Sequence, residues 1–432
     1  MILRLSDSLS RGLLVIGSLV VALWVSFFGV RSGIAGREAE GSSSNELRWA
    51  VRLEPGNPEF WYRLGHYQQF NLEQPDAVAS VESYQKAVAL NPGYTEAWLD
   101  LGTAYELDGN TAAARDAFVR AKKTYPASAE VAWRYGNFLL REGTLPEAFA
   151  ELRRALQADP RRAGAVFSRA YRADPDIDEI LNNLLPPFPP VYVDAIAEAV
   201  DSQQLAVAQT MWMRLMKLNP HLQIWQFEKF VEALLAHRDY DAASRVWDQG
   251  TSTMNLPPLI QPRESVLWDP SFESGIRNMS FAWFFHSLEE GVNTEFDTTE
   301  KLSGKQSLRL TFDGKHNPGG EVACARGVVT PGTKYLFSGW VKTKEITGDQ
   351  GVRFHIKSYG GDDRIPLAST KETHGTTPWT FIEQDWTAGP GVRVMEVCIS
   401  REPSTDPDIH ISGDAWVDDV TLVPKAAERR RP

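Results

Sequence analysis

The spacing of apolar residues along the chain changes once, near Val266. Before that point, apolar residues recur every three to four positions, the period of a helix with one buried face. From there to Pro424 the period is two, glycine and proline are frequent, and aromatic and β-branched residues dominate. The pattern predicts a multidomain α + β protein, helical first and an antiparallel β-sandwich afterwards.

The first predicted element is the uncharged stretch LLVIGSLVVALWVSFFGV at residues 13–30. A helix of this length nearly spans a hydrocarbon core of about 30 Å. We predict a cytoplasmic stub and an uncleaved transmembrane signal anchor at residues 1–36, followed by a polar linker at residues 37–45. A signal peptide cleaved after Ala35 and a buried apolar helix are the alternatives. Basic residues flank both ends of the stretch almost equally, so the positive-inside bias does not decide the orientation. The short N-terminal flank and the long C-terminal part favour an N-in, C-out orientation.

A repeat of about 34 residues follows the linker. Its fullest copy has small and large residues at fixed positions: Trp98, Leu101, Gly102, Tyr105, Ala114, Phe118, Ala121 and Pro126. Similar copies surround Gly65 and Gly136, the first with three extra residues near positions 71–75. The pattern resembles the tetratricopeptide repeat over residues 46–162, and a weaker form continues over residues 163–258. The proline run PPFPP at residues 186–190 predicts a bend.

The resemblance implies paired helices stacked into a solenoid whose concave surface binds a peptide or protein partner. Side chains between the repeat positions on the first helix of each pair are the candidates for contact. They are Arg63, His66, Asp100, Thr103, Arg134 and Asn137. An ordinary solvated helix face is the alternative for each of them.

The β-rich part, residues 264–424, has short alternating strands separated by Gly/Pro turns, which predicts a sandwich. The segments DPSFESG, LSGKQSLRL, VTPGTKYLFSGWVKT and DAWVDDVTL follow one another in order. They resemble the jelly-roll carbohydrate-binding modules attached to xylanases and endoglucanases. The resemblance implies an extracytoplasmic domain, a polysaccharide ligand, and core positions for Trp283, Trp379 and Trp416.

The same resemblance implies a structural calcium ion near the ends of the module. Glu273 and Asp419 match the acidic positions, and Asp418 is a possible substitute. Calcium prefers several hard oxygen ligands, including carboxylates. In the alternative, these carboxylates only accept hydrogen bonds at the strand ends. No other cofactor is expected.

One strand carries the candidate glycan residues. In residues 352–358, Arg353, His355 and Lys357 alternate with apolar residues, and Tyr359 continues their face. A polar face that ends in an aromatic ring suits a sugar, although a solvated sheet face has the same pattern. Trp386 and the trio at residues 284–286 are further candidates.

Composition narrows the class of function. The net charge is −11 and basic residues cluster only at 429–431, in the terminal tail of residues 425–432, so nucleic acid is not an expected partner. The two cysteines, Cys324 and Cys398, are either a disulfide or two separate thiols. Known catalytic motifs are missing, and the acidic pairs at 289–290 and 362–363 suit a solvated surface.

These observations predict a non-enzymatic adaptor in a bacterial cytoplasmic membrane, single-pass, with most of the chain in the periplasm. Its solenoid would bind a protein and its sandwich a glycan, in polysaccharide assembly or export. A purely structural scaffold and a glycan-acting enzyme within the sandwich are the alternatives.

Overall fold

The structure, a computed structural model of the 432-residue chain, describes residues 8–41, 43–71, 75–259, 265–286, 290–359, 367–406 and 410–425. The chain divides into two compact units, residues 1–186 and 187–432. The division falls inside the proline run, where missing backbone donors and ring clashes prevent a continuous helix. Residues 72–74, 289, 362–363 and 426–432, on which some predictions fall, lie outside the described residues.

The first unit consists of helices that pack in consecutive pairs. They are α1 (Ser8–Ala39), α2 (Ser44–Leu53), α3 (Pro58–Phe70), α4 (Ala77–Leu90), α5 (Thr95–Leu107), α6 (Thr111–Thr124), α7 (Ala129–Arg141), α8 (Leu145–Ala158), α9 (Ala163–Ala173) and the short α10 (Ile177–Glu179), with a π-helical turn at Ile180–Leu184. Ser43, Asp76, Asn110 and Ser128 each accept a hydrogen bond from the backbone N–H three residues later. These side chains fix where α2, α4, α6 and α7 begin, because the first turn of a helix has unpaired N–H groups.

Glycine sets the distance between the paired helices. A Cβ atom on Gly102 would lie 3.0 Å from the ring of Phe118, and one on Gly136 would lie 2.7 Å from the side chain of Leu152. Gly65 has the equivalent position in the preceding repeat, 2.9 Å from a tyrosine ring. The close approach predicted from the repeat pattern is therefore present in three successive pairs.

The C-terminal end of α1 belongs to the core of the first unit. Ala35 is fully buried and Ala39 is 4% exposed. Both pack in one cluster with Ala50, Phe60 and Leu64. In contrast, the apolar stretch of α1 is exposed throughout, with a mean hydropathy of 2.5. By length and composition α1 is able to cross a membrane, a test that a signal sequence also passes.

The second unit begins with two helix pairs and continues as the sandwich. The helices are α11 (Pro189–Asp201), α12 (Leu205–Met216), α13 (Glu228–Ala236) and α14 (Tyr240–Ser252). Trp212 and Trp247, which mark the weak repeat in the sequence, are both buried. The ring of Trp247 lies 5.3 Å from Trp268 and 5.7 Å from Phe281, both of which belong to the sandwich segment. Helix α14 and the sandwich therefore share one aromatic cluster.

Within the described residues, ten strands form two five-stranded antiparallel sheets. They are β1 (Phe284–Phe285), β2 (Val292–Asp297), β3 (Ser307–Asp313), β4 (Gly320–Val328), β5 (Lys334–Ile346), β6 (Val352–Ser358), β7 (Ala368–Ser369), β8 (Gly375–Thr387), β9 (Val394–Arg401) and β10 (Ser412–Pro424). The first sheet has the order β1-β4-β9-β6-β7, and the second sheet has the order β2-β3-β10-β5-β8. The chain crosses repeatedly between the sheets, as in a jelly roll, and this confirms the predicted sandwich.

The tryptophans of the sandwich are partly placed as predicted. Trp283 is a core residue at 1% exposure, and its Nε1–H donates to the carbonyl of Asp269. Trp386 was a candidate for glycan contact, but it is 6% exposed and packs in the core beside Tyr335, because it lies opposite that inward residue. In contrast, Trp379 is only half-buried, on the edge strand β8.

Trp416 is buried, but outside the apolar core in which it was predicted to lie. Its ring lies on the outer side of the second sheet, beneath the cations of Arg309 and Lys342 at 5.5 and 5.6 Å. Its Nε1–H donates to the carboxylate of Asp297. Charged side chains, rather than the apolar core, therefore cover this tryptophan.

The alternatives left open for the cysteines are settled by strand pairing. Cys324 and Cys398 are directly opposite one another on β4 and β9, with 4.0 Å between their Cα atoms. They form a disulfide on the outer side of the first sheet.

Candidate functional site

Three of the residues predicted on the helical face meet in one network. The guanidinium of Arg134 forms an ion pair with Asp100 at 2.8 Å and donates to the hydroxyl of Thr103 at 2.7 Å. The hydroxyl of Tyr62 donates to the second oxygen of Asp100 at 3.0 Å. Asp100 is only 6% exposed, and a carboxylate that is shielded from water needs partners of this kind to offset its lost hydration. The network links α3, α5 and α7 on one side of the solenoid.

A groove lined by arginine lies further along the same series of helices. It has a volume of about 340 Å³, and we call it the arginine groove. Its lining residues are Asn137, Leu140, Arg141, Arg169, Arg172 and Ala173. Asn137, a predicted contact residue, is 5% exposed and its Oδ1 accepts a hydrogen bond from Arg169 at 2.7 Å. The sequence did not indicate Arg169 or Arg172, because they lie where the repeat pattern is weak.

The charges of the arginine groove are only partly balanced. Arg141 forms a two-point contact with Glu106. Among the described residues, neither Arg169 nor Arg172 forms a salt bridge. Burial, together with the positive charges of Arg141 and Arg172, lowers the pKa of Arg169. Arg169 also stacks 4.5 Å from the ring of Trp133, which fixes its guanidinium in the groove. The groove therefore presents excess positive charge that suits a carboxylate.

The other two predicted contact residues lie apart from this groove. Arg63 pairs with Glu59 at 2.7 Å and donates to the carbonyl of Ala39 at 3.2 Å. This places it at the junction of α3 with α1. His66 is exposed, 4.6 Å from the ring of Phe70. Neither residue bonds to Asp100, although the ring of His66 lies 6.0 Å from that of Tyr62.

The predicted glycan face is less open than the alternation of the sequence indicated. His355 is 8% exposed and Lys357 is 6% exposed. Lys357 donates to Glu321 at 2.8 Å and lies 3.9 Å from Glu396. Burial lowers the pKa of His355, against the opposing charge of Glu402. Arg353 is partly covered, with Gln350 as its hydrogen-bond partner. Ion pairs between neighbouring strands fill this part of the surface, and glycan contact by Arg353, His355, Lys357 and Tyr359 stays a prediction.

Helix α13 contacts one end of that face. Arg326 of β4 pairs with Glu232 of α13 at 2.9 Å and with Glu396 of β9 at 3.0 Å. Its guanidinium lies 4.5 Å from the ring of Tyr359. Burial disfavours the charge of Arg326, but Glu232 and Glu396 hold its pKa above the ordinary arginine value. Tyr359 therefore holds Arg326 in place within the protein and does not present a free aromatic surface.

The second sheet carries an aromatic pair instead, with one ring exposed and the other half-buried. Trp340 of β5 and Phe381 of β8 are opposite in register, with 5.1 Å between their ring centroids. Phe381 is 47% exposed. The sequence did not indicate this pair, because the family resemblance points to other aromatic positions.

The two predicted calcium ligands converge on the same turn. Glu273 accepts a hydrogen bond from the N–H of Lys305 at 2.7 Å, and Asp419 accepts one from the hydroxyl of Ser303 at 3.0 Å. Gly304 between them has a φ of +58°, and a Cβ there would lie 2.1 Å from the carboxylate of Glu273. Asp418 is fully buried, and backbone N–H groups occupy both of its oxygens. Glu273 and Asp419 therefore offer the oxygen type that calcium prefers, but both accept hydrogen bonds at this turn, and Asp418 accepts its hydrogen bonds from the backbone. Calcium binding stays a prediction.

A small cavity in the second unit bears on the enzyme alternative. It has a volume of about 270 Å³ and contains one carboxylate, that of Asp269. Ser274 donates to this carboxylate through its N–H and hydroxyl groups. Glycoside hydrolysis normally needs two acidic groups across a cleft, so this cavity does not offer that arrangement.

Comparison with known proteins agrees with the sequence pattern in the helical unit. The tetratricopeptide-repeat family matches residues 72–129 and 108–163. These residues form tetratricopeptide repeats. No curated protein matches the chain.

Solved structures resemble both parts of the chain. PilW, a widely conserved type IV pilus biogenesis factor, is 17% identical, with 54% of this chain and 95% of that chain covered and a TM-score of 0.28. The CBM22-1 xylan-binding domain of Paenibacillus barcinonensis Xyn10C is 19% identical, with 36% and 93% covered and a TM-score of 0.26. A CBM4 structure is 12% identical, with 34% and 88% covered and a TM-score of 0.25.

Proposed function

We propose that this protein is a membrane-anchored adaptor without catalytic activity, whose repeat unit binds an acidic segment of a partner protein. The arginine groove carries the proposal. Arg169 and Arg172 have no carboxylate partner among the described residues, and Arg169 is held by Asn137 and Trp133. A glutamate or aspartate side chain of a bound peptide would supply the missing negative charge, since planar guanidinium groups bind carboxylates through two hydrogen bonds.

The packing of α1 supports an anchor rather than a cleaved leader. Cleavage after Ala35 would remove a fully buried residue from the cluster that includes Ala50 and Phe60. It would also separate Ala39, whose carbonyl accepts a hydrogen bond from Arg63, from most of its helix. An intact α1 would connect the first repeat directly to a membrane in the N-in, C-out orientation proposed for the bacterial envelope.

The test uses the full chain in detergent and a labelled peptide of alternating Glu and Leu. Its counterpart with Gln in place of Glu is the neutral probe. We expect the acidic peptide to bind, with an affinity that falls as salt rises. Arg169→Met should weaken it roughly tenfold, since a charged hydrogen bond contributes about 1.5–3 kcal/mol.

Arg161→Met is the matched control, because Arg161 is 89% exposed and lies outside the groove. Equal binding of the neutral peptide, or equal effects of the two arginine variants, would contradict the proposal.

A second candidate function, glycan binding by the sandwich, is favoured by the partly exposed aromatic pair. Trp340 and Phe381, tilted by 52° to one another, form a partly exposed apolar surface of the kind that contacts sugar rings. A glycan array with the full chain should show binding that Phe381→Ala abolishes and Tyr359→Ala leaves unchanged. The reverse pattern would place the glycan site on the first sheet. If folded protein bound no glycan on the array, the sandwich would have a structural role only.

We also propose that Glu273 and Asp419 bind a structural calcium ion. The ion would join the turn at residues 303–305 to the two ends of the sandwich. Calcium at one hundred times its dissociation constant should stabilise the protein by about 2.7 kcal/mol. Thermal unfolding with calcium and with chelator should therefore differ for the wild type but not for Glu273→Gln. An equal shift in both proteins would refute the site.

A further inference from the structure

A mixed cluster of metal-ligating side chains lies on the outer side of the first sheet. A ring nitrogen of His286, a carboxylate oxygen of Glu321 and Sγ of Cys324 all lie within 4.8 Å of one another. Within the described part of the chain, no other group of three such side chains meets this spacing. Sγ of Cys398 is bonded to that of Cys324, so a fourth donor atom is adjacent.

An irregularity in β4 assembles this cluster. Glu321 and Cys324 are three residues apart, so a regular strand would place them on opposite faces. The register of β4 with β9 shifts between Glu321 and Ala323, as in a β-bulge. The shift places both side chains on one face, with 3.8 Å between Sγ of Cys324 and Oε2 of Glu321. His286 follows β1, and its N–H donates to the carbonyl of Val322 at 3.1 Å, which holds it beside the same strand.

The state of the disulfide determines what these groups are able to bind. While the disulfide is closed, neither sulfur is a thiolate, and one imidazole with one carboxylate is a weak donor set. With the disulfide open, two thiolates join them. Two cysteines, a histidine and a carboxylate are ligand types that zinc accepts in a tetrahedral site.

We propose that reduction of the Cys324–Cys398 disulfide converts this cluster into a Zn²⁺ site formed by both cysteines, His286 and Glu321. A dithiol reductant supplies two electrons and two protons. The S–S bond breaks, each cysteine becomes a thiol, and the dithiol is oxidised to its own disulfide. Zinc binding then releases the two thiol protons, because zinc binds thiolates.

The geometry requires only local movement. Donor atoms around tetrahedral zinc are roughly 3.3–3.8 Å apart, as follows from zinc–ligand bonds of about 2.0–2.3 Å. His286, Glu321 and Cys324, which lie within 4.8 Å, must therefore close by about an ångström, while the two sulfurs must move apart from bonding distance to about 3.8 Å. His286 is exposed and able to rotate. Lys357, which lies 2.8 Å from Glu321, is the competing cation, and Glu396 at 3.9 Å is placed to receive it.

The test measures Co²⁺ binding to the full chain in detergent, since cobalt bound to thiolate absorbs strongly and zinc displaces it. Protein reduced with a phosphine, which is then removed, should bind one Co²⁺ with a thiolate charge-transfer band. Oxidised protein should give no such band. Zn²⁺ should abolish the band of the reduced protein.

Four variants test which side chains bind the metal. His286→Ala and Glu321→Gln should each weaken binding at least as much as the roughly 10–100-fold loss seen when a supporting group is removed. Lys357→Met should bind more tightly, because the competing cation is gone. His374→Ala, an exposed histidine outside the cluster, is the matched control and should bind as the wild type does.

Several outcomes would overturn the proposal. Binding of Co²⁺ by oxidised protein would show that the disulfide does not control the site. Unchanged affinity in His286→Ala would show that two thiols bind metal without the cluster. Failure of the reduced protein to bind would exclude the site, whether circular dichroism finds it folded or unfolded.

Discussion

Glu228 gives the contact between α13 and the sandwich an unusual dependence on pH. Its Oε1 accepts hydrogen bonds from the N–H of Ser280 at 2.7 Å and from the hydroxyl of Ser280 at 3.0 Å. Its Oε2 is also buried and has no hydrogen-bond partner among the residues that the structure describes. Burial raises the pKa of this carboxyl group from 4.5 to about 7, although the bonds from Ser280 and the charge of Arg326 oppose the rise.

The sign of the effect follows from the direction of the shift. The folded state binds the proton of Glu228 more tightly than the unfolded state does. Protonation of Glu228 therefore stabilises the folded state fully below pH 4.5, and this stabilisation is lost as pH rises through about 7. A difference of about 2.5 pKa units corresponds to about 3 kcal/mol, at about 1.4 kcal/mol per unit. Because the residue as a whole is only half-buried, we expect a measured change of about 1–3 kcal/mol.

The variant Glu228→Gln removes the titration and keeps the acceptor for Ser280. Relative to wild type, its free energy of unfolding should rise by about 1–3 kcal/mol between pH 5 and pH 8. Urea unfolding followed by tryptophan fluorescence measures this difference, since Trp247 and Trp268 pack where the helices meet the sandwich. Asp241→Asn, which removes an exposed ion pair between α14 and Arg393, is the control and should change the free energy of unfolding little at either pH. A difference between Glu228→Gln and wild type that is the same at both pH values would refute the reasoning.

Two further predictions concern packing. Gly136→Ala should destabilise the first unit by about 1–2 kcal/mol, because overpacking against Leu152 outweighs the better helix propensity of alanine. In a Leu152→Ala background the same change should become neutral or stabilising, and unchanged destabilisation there would contradict the steric explanation. Trp247→Ala should cost the second unit about 3–5 kcal/mol, since the ring is fully buried between Trp268 and Phe281. Trp225→Ala, at 70% exposure, should change stability by less than about 0.5 kcal/mol in the same urea experiment, and equal effects would contradict the packing argument.

The helical fold could be predicted because its signals are local. Gly102 and Phe118 recur at fixed offsets, and the structure brings them into contact within one helix pair. The arginine groove could not be predicted in the same way. Arg169 lies in a region where the repeat pattern is weak, and its charge matters only because Asn137 and Arg141 approach it from α7. Those distances depend on how successive pairs stack, which no single segment encodes.

The sandwich could be predicted from period-two alternation, but its functional surface could not. Alternation correctly separates Phe354 and Ile356 in the core from His355 and Lys357 on the outer side. Alternation says nothing about what covers the outer side. Lys357 is buried by carboxylates from β4 and β9, whose positions follow from register and from the bulge beside Glu321.

The two sides of the sandwich are therefore suited to different tasks. On the first sheet, Arg326 joins α13 to β4 and β9, and its buried guanidinium would lose both carboxylate partners if the face opened to a ligand. Removing one partner from a largely buried ion pair, such as Arg326 with Glu396, is destabilising, so a sugar would have to offset that loss before it gained any affinity. The pair Trp340–Phe381 requires no such exchange, because Phe381 is already exposed to solvent. Any ligand of the sandwich should accordingly bind to the second sheet, while the first sheet holds the last helix pair in place.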